Sequence, residues 1–288
     1  MRYIIFILAC FSCVPTFRSK DLIPQHLPKE VPELVLLRGL IVTDTVSEAY
    51  SSLDQPLLGF LISKNEITNK QFCYFLNVDS IHANAELIKN SIDLSHADSK
   101  IYVKEGKYCP VEGYADCPVV LVSWWGAKKY CYWLTSYVNT VRDEKGLYRV
   151  PNYRLPSEYE WLVAAHASEK YKYSVEAACD STSMYSAKVI QRSYDVKLNM
   201  LNTVGVAGMN ENVFEWTEDD FYMMQAVIDF SLSSFYYKEI TADAVVRKHG
   251  FVTDLDCGRI SRLRSGYYSD TGFRIVQTYL GRSAGAEF

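Results

Sequence analysis

The sequence predicts a single α+β domain in which little of the chain forms regular helices and strands. Three observations favour this class: the apolar segments typical of strands are short, the recognisable helix starts are few, and long polar stretches separate them. A chain of 288 residues suits one large domain or two small ones, and its 49% hydrophobic residues can supply a sizeable core.

The first elements of the predicted domain are two strands and a helix. Apolar residues at 34–42 and 59–64 are typical of short strands. Thr68 and Gln71 form a capping-box pattern, which predicts that a helix begins here. The inner face of this helix would carry Phe72, Phe75 and Leu76.

Two further helices are expected in the middle of the chain. Polar residues at 78–116 show no clear period and are interpreted as an insertion or a long loop. Apolar residues at 118–122 then predict a short strand. Ser123 is expected to cap a second helix, and Ser157 with Glu160 forms another capping box that begins a third.

The remainder of the predicted domain, which spans 21–288, contains few regular elements. A second insertion is expected at 222–250, with helical character around 223–230. The last strands are expected at 259–264 and 273–279.

The first 20 residues are interpreted as a secretory signal. Arg2 precedes an apolar run at 3–11, which is shorter than the roughly 20 residues that a membrane-spanning helix needs. Cys10 ends the sequence ILAC, which is similar to a bacterial lipoprotein processing box, and Cys13 is the alternative acceptor. An acylated cysteine would hold an exported protein on a membrane surface, in the periplasm or at the outer membrane. The other interpretation is an apolar N-terminal segment packed on the domain.

Charge and cysteine spacing exclude some classes of protein. A net charge of −4 without a long basic stripe disfavours a nucleic-acid partner. Beyond the first 20 residues the chain has no C-x-x-C pair, which disfavours a structural zinc site in the domain. Cys109 and Cys117 flank a loop that they could close, whereas Cys73 and Cys131 fall in predicted helices and are expected as buried thiols. The pairing stays open among Cys73, Cys109, Cys117, Cys131, Cys179 and Cys257.

Five segments in order resemble the formylglycine-generating-enzyme (sulfatase-modifying-factor) family. The family blocks are Y-E-V-T-N, P-V-x-x-V-S-W, Y-R-L-P-T-E-A-E-W, G-N-V-W-E-W and R-G-G-S-W…G-F-R. The similar segments here are 62–76, 117–134, 153–165, 205–221 and 259–276. Each block alone is a weak signal, but their order makes the resemblance strong. It covers about residues 35–279 and implies a fold related to C-type lectins.

Segment 205–221 is the candidate metal site. In the family, the asparagine and glutamate of the G-N-V-W-E-W block hold calcium together with backbone carbonyls. The resemblance therefore implies Asn212, Val213 and Glu215 as calcium ligands, although Glu211 stands where the family has glycine. Calcium prefers six to eight oxygen ligands. The alternative is an acidic, solvated loop in which the asparagine and the glutamate bond only to backbone.

The family's oxidase block is replaced in this chain. The enzymes bind copper(I) through two cysteines, five apart, that follow R-G-G-S, since this soft metal prefers thiolates. Here the residues at 262–265 read Arg-Leu-Arg-Ser, and 259–288 contain no cysteine. No copper and no formylglycine-generating activity are therefore expected, and catalytic residues are predicted to be absent.

Together these features predict an exported, lipid-anchored, non-catalytic protein. Similar domains without the cysteine pair occur in lipoproteins of gliding motility and type IX secretion. The resemblance therefore implies a structural or interaction role in a bacterial envelope assembly, with protein partners. Two alternatives remain: an oxidative tailoring enzyme of an exported substrate, and a C-type-lectin-like ligand-binding module.

Overall fold

The regular elements are short and are distributed along the whole described chain. The computed structural model describes residues 27–37, 59–166, 194–209, 211–221, 243–248 and 259–280. The helices in these ranges are α1 (Asn69–Leu76), α2 (Asp79–His82), α3 (Ala85–Lys89), α4 (Trp124–Glu144) and α5 (Glu158–His166), with a 3₁₀ helix at Val196–Leu198. The strands are β1 (Leu34–Leu37), β2 (Phe60–Ser63), β3 (Ile101–Lys104), β4 (Lys107–Pro110), β5 (Tyr153–Arg154), β6 (Phe214–Asp220), β7 (Asp243–Arg247), β8 (Arg259–Leu263), β9 (Thr271–Gly272) and β10 (Val276–Thr278).

Several predictions lie outside the described residues. These are the signal segment 1–20 with Cys10 and Cys13, the helical character at 223–230, and two cysteines, Cys179 and Cys257. Among the described residues, none of the helices combines the length and the apolar character that crossing a bilayer requires.

Two four-stranded sheets organise the described chain. The first has the order β1-β2-β10-β5 with antiparallel neighbours throughout. The second has the order β8-β7-β6-β9, in which only the β6–β9 pair is parallel. β10 lies between β2 and β5, so that the end of the described chain completes a sheet begun near its start. This mixed arrangement with few helices confirms the predicted α+β class.

The predicted helix starts are correct because capping is a local interaction. Thr68 and Gln71 cap α1 reciprocally: the Thr68 N–H donates to Gln71 Oε1 at 2.9 Å, and the Gln71 N–H donates to Thr68 Oγ1. Ser157 and Glu160 exchange the same two bonds at α5. Ser123 accepts from the backbone three residues on, at the start of α4. Each cap satisfies amide groups that have no partner within the helix.

An aromatic cluster joins the first helices to the last strand. The Tyr130 ring of α4 packs 5.8 Å from that of Phe72 and 5.7 Å from that of Phe75, both on α1. Phe273, just before β10, lies 5.4 Å from Tyr130. All four side chains are buried, and burying a side chain of this kind contributes about 1.5–3 kcal/mol. The cluster therefore ties distant parts of the sequence into one core.

Segment 78–116 is more regular than the sequence predicts. It contains α2, α3 and the β3–β4 hairpin, whereas an irregular insertion or loop was the expectation. Asn84 caps α3 by accepting from the Leu87 N–H at 2.8 Å. Helices of four and five residues are too short to show a helical period, which is why the pattern did not reveal them.

The strand predicted at 118–122 is not formed. This segment makes only isolated bridges, from Pro118 to Thr68 and from Val122 to Ile92. Leu121 has φ of 60°, in the left-handed region that an extended strand excludes. The apolar run instead reflects burial between other elements.

The second sheet also departs from the predicted organisation. β6 occupies 214–220 inside the expected loop 205–221, and β7 lies within the insertion expected at 222–250. β8 agrees with the predicted strand 259–264, whereas β10 is shorter than the predicted 273–279. Glu215 thus lies on an inner strand and not on a surface loop.

Candidate functional site

The centre of the candidate site is a buried ion pair between β6 and the segment that precedes β10. Arg274 donates from Nε to Oε2 of Glu215 at 2.6 Å, and from Nη2 to Oε1 at 2.7 Å. Trp161 on α5 donates its indole N–H to the same Oε2 at 2.7 Å. All three side chains are buried. Bidentate pairs of this kind are among the strongest hydrogen-bonded contacts in proteins.

The guanidinium of Arg274 also satisfies backbone groups. It donates to the carbonyl of Ser63, at the end of β2, at 3.2 Å and to that of Ala207 at 3.0 Å. One side chain therefore links the first sheet, the 205–209 segment and β6. The fork of five donors makes arginine suited to this task, since a lysine could not reach so many acceptors in fixed directions.

A second buried carboxyl group, that of Glu66, lies beside this pair. Asn199 donates to Glu66 Oε2 at 2.7 Å, whereas Oε1 has no hydrogen-bond partner among the described residues. Burial raises the pKa of Glu66 to about 8; Arg274 opposes this shift and Glu215 adds to it. Two carboxyl groups share one guanidinium, and the more poorly partnered one therefore holds its proton at neutral pH.

Gly208 is required by this arrangement. A Cβ at this position would lie 2.7 Å from Glu66 Oε2 and 2.4 Å from Asn199 Nδ2, and φ is +75°. Any side chain would therefore collide with the Glu66–Asn199 hydrogen bond and would also strain the backbone.

The side-chain amide of Asn212 is held by the backbone of Tyr194. Its Oδ1 accepts from the Tyr194 N–H and its Nδ2 donates to the Tyr194 carbonyl, each at 3.2 Å. Lys248 donates from Nζ to the Asn212 main-chain carbonyl at 2.9 Å, and burial lowers the pKa of this lysine. The region predicted to bind a metal cation therefore contains cationic groups of the chain itself.

The residues do not fit the predicted calcium site. Both oxygens of Glu215 are engaged by Arg274 and Trp161, and the side-chain oxygen of Asn212 accepts from Tyr194. Val213, whose carbonyl was the third predicted ligand, has a buried side chain. Within the described ranges, no group of three or more His, Cys, Asp or Glu side chains could hold a metal ion, whereas calcium requires six to eight oxygens. The sequence-based prediction of calcium binding and this geometry give opposite expectations for a melting experiment with calcium and with chelator.

Segment 262–265, which replaces the family's R-G-G-S, is packed against the protein. The Arg264 guanidinium pairs with Asp220 and lies 4.7 Å from the ring centre of Trp124. The Arg264 carbonyl accepts from the Trp124 N–H at 3.0 Å, which joins this segment to the start of α4. Arg262 pairs with Asp270. Side chains thus fill positions where the family has glycines.

A cleft of about 800 Å³ is lined in part by Glu66. Glu66 and Asn199 are among the buried residues of its wall, and Lys64, Lys70 and Tyr74 are among those of its rim. Beside the cleft lie three apolar residues, Leu198, Met200 and Leu201, which we name the apolar shoulder. Their exposed fractions are 71%, 77% and 57%, respectively. Exposed apolar side chains that lie close together in the chain next to a cleft are typical of a contact surface.

A smaller cavity of about 270 Å³ lies against the replaced oxidase block. Its lining residues are Asn90, Trp125, Lys129, Ser265 and Tyr267. Trp125 is 51% exposed, so about half of its surface is accessible to a ligand.

Sequence reasoning singled out Glu215 and Asn212 but missed their partners. Arg274 and Glu66 both stand in the quoted family-like segments, as the arginine of G-F-R and the glutamate of N-E-I-T-N. A charged residue among apolar neighbours was the available signal for Arg274, since burial of a charge demands a partner. Glu66 stands among polar residues, so its sequence neighbours gave no such signal. Lys248 lies in the expected insertion, where no pattern pointed to it.

Comparisons with known proteins agree on one fold. A family model described as "Sulfatase-modifying factor enzyme 1-like domain" matches residues 20–279. Two similar solved structures are CarF, with 16% identity and a TM-score of 0.51, and PvdO from Pseudomonas aeruginosa, with 19% and 0.52. The matches cover 86% and 89% of this chain and 99% of each of those chains. At these identities the likeness shows the fold alone.

Two curated relatives are much longer than this chain. They are the serine/threonine-protein kinases Pkn1 of Chlamydia trachomatis serovar L2, 31% identical over 183 residues, and of Chlamydia pneumoniae, 28% identical over 178 residues. Each match covers 59% of this chain but 25% of the kinase. The chain therefore spans about a quarter of the length of these relatives.

Proposed function

Because the chain belongs to the sulfatase-modifying factor enzyme 1-like family, we propose that it is a non-catalytic member with an interaction role. In this proposal it is exported, lipid-anchored through Cys10 or Cys13, and part of a bacterial envelope assembly of the gliding-motility or type IX secretion kind. The kinase activity named for the chlamydial relatives belongs to those proteins, since this chain spans only a quarter of them.

One observation carries the non-catalytic part of the proposal: the residues that replace the oxidase block form ion pairs and packing contacts with neighbouring elements. Arg264 joins Asp220, Trp124 and the start of α4, and Arg262 pairs with Asp270. No cysteine stands between 259 and 288 to supply a thiolate. A copper(I) site needs soft ligands, so this segment offers packing and ion pairs in place of redox chemistry.

The apolar shoulder and the adjoining cleft support an interaction role. Leu198, Met200 and Leu201 are exposed although they are apolar. Leu201 also lines the cleft, whose rim carries Lys64 and Lys70. An apolar patch beside charged groups is the composition of a protein-contact surface with a polar rim.

The oxidase assay tests the non-catalytic claim. The purified chain would be incubated with a sulfatase-motif peptide, copper and oxygen, and the peptide mass would be followed for the aldehyde. A family member with both cysteines is the positive control. We expect no aldehyde above the protein-free level, and efficient conversion would refute the claim.

The interaction claim needs a surface variant with a matched control. We expect affinity purification from the native envelope to yield a complex of fixed composition, which the triple variant Leu198→Asp, Met200→Asp, Leu201→Asp loses. Leu280→Asp is the control, because Leu280 is 65% exposed and does not line the cleft. A complex that survives the triple variant, or is lost equally with the control, would contradict the assigned surface.

Anchoring is tested separately. The double variant Cys10→Ala, Cys13→Ala should lose acyl labelling and leave the membrane fraction, because a lipid chain supplies the attachment. Equal labelling and equal membrane association of the variant would show that the lipoprotein assignment is wrong.

A second candidate function rests on the cavity at Trp125. An exposed indole face beside Asn90, Lys129 and Ser265 combines a stacking surface with hydrogen-bond donors, as a small polar ligand with an apolar face requires. This fits the ligand-binding-module alternative. Quenching of tryptophan fluorescence by a panel of monosaccharides, lost in Trp125→Ala, would favour it; no quenching at millimolar sugar would dismiss it.

A further inference from the structure

Helix α1 and the β3–β4 hairpin face each other across one strong contact. Asn77, at the end of α1, donates from Nδ2 to the Tyr108 carbonyl at 2.8 Å and accepts from the Tyr108 N–H, also at 2.8 Å. Cys73 lies one helical turn before Asn77, since its carbonyl accepts from the Asn77 N–H. Cys109 directly follows Tyr108 in β4. The contact thus brings one cysteine from each element to the same junction.

From this juxtaposition we propose that Cys73 and Cys109 form a disulfide that fastens α1 to the β3–β4 hairpin. Both thiols are free in this structure. A second observation indicates that the two thiols are close: burial and, to a lesser extent, Cys109 together raise the pKa of the Cys73 thiol to about 12. The bond would close a loop of about 35 residues around α2, α3 and β3.

The other described cysteines lie elsewhere. Burial raises the pKa of the Cys117 thiol, and the nearby carboxylates of Asp195 and Asp116 also raise it, to a lesser extent. Its Sγ lies 4.0 Å from the carbonyl of Gly113. Cys131 is buried in the middle of α4. The sequence left Cys109 open to pairing with Cys117; the contact between α1 and β4 favours Cys73 as its partner instead.

The reaction is a thiol–disulfide exchange. A disulfide-bonded oxidant R–S–S–R accepts the two electrons and two protons of the Cys73 and Cys109 thiols. Two S–H bonds of the protein and the S–S bond of the oxidant break, one S–S bond forms in the protein, and two R–SH molecules leave. In the cell this oxidant would be a thiol oxidase of the envelope, so the occurrence of the bond there rests on the proposed export.

The test uses the purified full chain in reduced and oxidised glutathione buffers. After alkylation of free thiols and digestion without reductant, mass spectrometry should show the peptides that contain Cys73 and Cys109 joined. The oxidised protein should melt on the order of 5–10 °C above the reduced protein, because the cross-link restricts the unfolded chain.

Matched variants separate the bond from general damage. Cys109→Ser should abolish both the linked peptide and the difference between oxidised and reduced melting temperatures, since Cys109 is only partly buried and its replacement should leave the fold intact. Cys131→Ser is the control, and it should keep both. A linkage of Cys109 to Cys117, or alkylation of both thiols after the most oxidising buffer, would overturn the inference.

The same measurement distinguishes this inference from the proposed function. Export is scored by cell fractionation, and the bond is scored by peptide mapping of the fractionated protein. A protein that is exported but has both thiols free refutes the disulfide and leaves export standing. A protein that stays inside the cell but forms the bond in oxidised glutathione refutes export and supports the Cys73–Cys109 pairing.

Discussion

Replacing Arg274 by methionine should cost more stability than any other single change in the described ion pairs. The substitution removes the bidentate partner of Glu215 and leaves the carbonyls of Ser63 and Ala207 without their donor. Removing one member of a buried pair typically costs 3–5 kcal/mol. We therefore expect Arg274→Met to lower the free energy of unfolding by about 4 kcal/mol.

The matching substitution at Glu215 should cost less. In Glu215→Gln the guanidinium keeps its bonds to the two backbone carbonyls. Loss of the Glu215 charge also lowers the pKa of Glu66, which can then ionise and become the counter-charge of Arg274. Loss of a charge-assisted hydrogen bond costs roughly 1.5–3 kcal/mol. The asymmetry follows from the local charges, because two carboxyl groups surround one arginine.

Urea unfolding at pH 7, followed by tryptophan fluorescence, measures both variants. A double variant, Glu215→Leu with Arg274→Met, is the control: it should recover part of the loss, since neither charge is then left unpaired in the core. A loss below about 1 kcal/mol for Arg274→Met, or a greater loss for Glu215→Gln, would refute this account of the pair.

Three further outcomes are expected. Calcium or chelator should shift the melting midpoint by less than about 1 °C, because the predicted ligands already have protein partners; a clear upward shift with calcium would restore the predicted metal site. The pKa of Glu66 is raised from 4.5 to about 8 on folding, so its protonated form adds stability that is complete below pH 4.5 and is lost as the pH rises through 8. Glu66→Gln should therefore remove a dependence of the free energy of unfolding on pH of up to about 1.4 kcal/mol per pH unit, measured by urea unfolding at a series of pH values. An unchanged pH dependence in the variant would contradict this assignment. Arg264→Ala should cost about 1–2 kcal/mol through the lost contacts with Asp220 and Trp124. Arg149→Ala is the control: the Arg149 side chain is 71% exposed and its ion pair with Asp143 is screened by water, so this variant should leave stability nearly unchanged. Equal costs would show that the block is not packed as described.

The parts of the fold that could be predicted are those set by neighbouring residues. The starts of α1 and α5 depend on a side chain and the backbone three positions away, so Thr68 with Gln71 and Ser157 with Glu160 were readable from the sequence. The class of fold was readable from five ordered segments. The prediction of a strand at 118–122 was wrong because the left-handed backbone of Leu121 is set by tertiary packing, which no local pattern encodes.

The candidate site shows the same division at the level of single residues. Segment 205–221 was singled out, and Glu215 is indeed at the centre of a polar network. Its role could not be predicted, because Arg274 lies 59 positions further along the chain and Trp161 lies 54 positions before it. A carboxylate that a sequence pattern suggests as a metal ligand can, in the folded chain, be the counter-charge of an arginine that is distant in the sequence.

Arginine has the same physical role in the core and at the replaced oxidase block. Arg274 binds a carboxylate and two carbonyls from three segments, and Arg264 binds Asp220 while its own carbonyl accepts from Trp124. A domain with short strands has few ladder hydrogen bonds to hold it, so multidentate side chains contribute more of its order. Arg264 stands where the family's glycine leaves the backbone open to approach. The same residue that would obstruct an oxidase centre therefore contributes to holding β8 against α4, and the proposed loss of chemistry is compatible with retention of the fold.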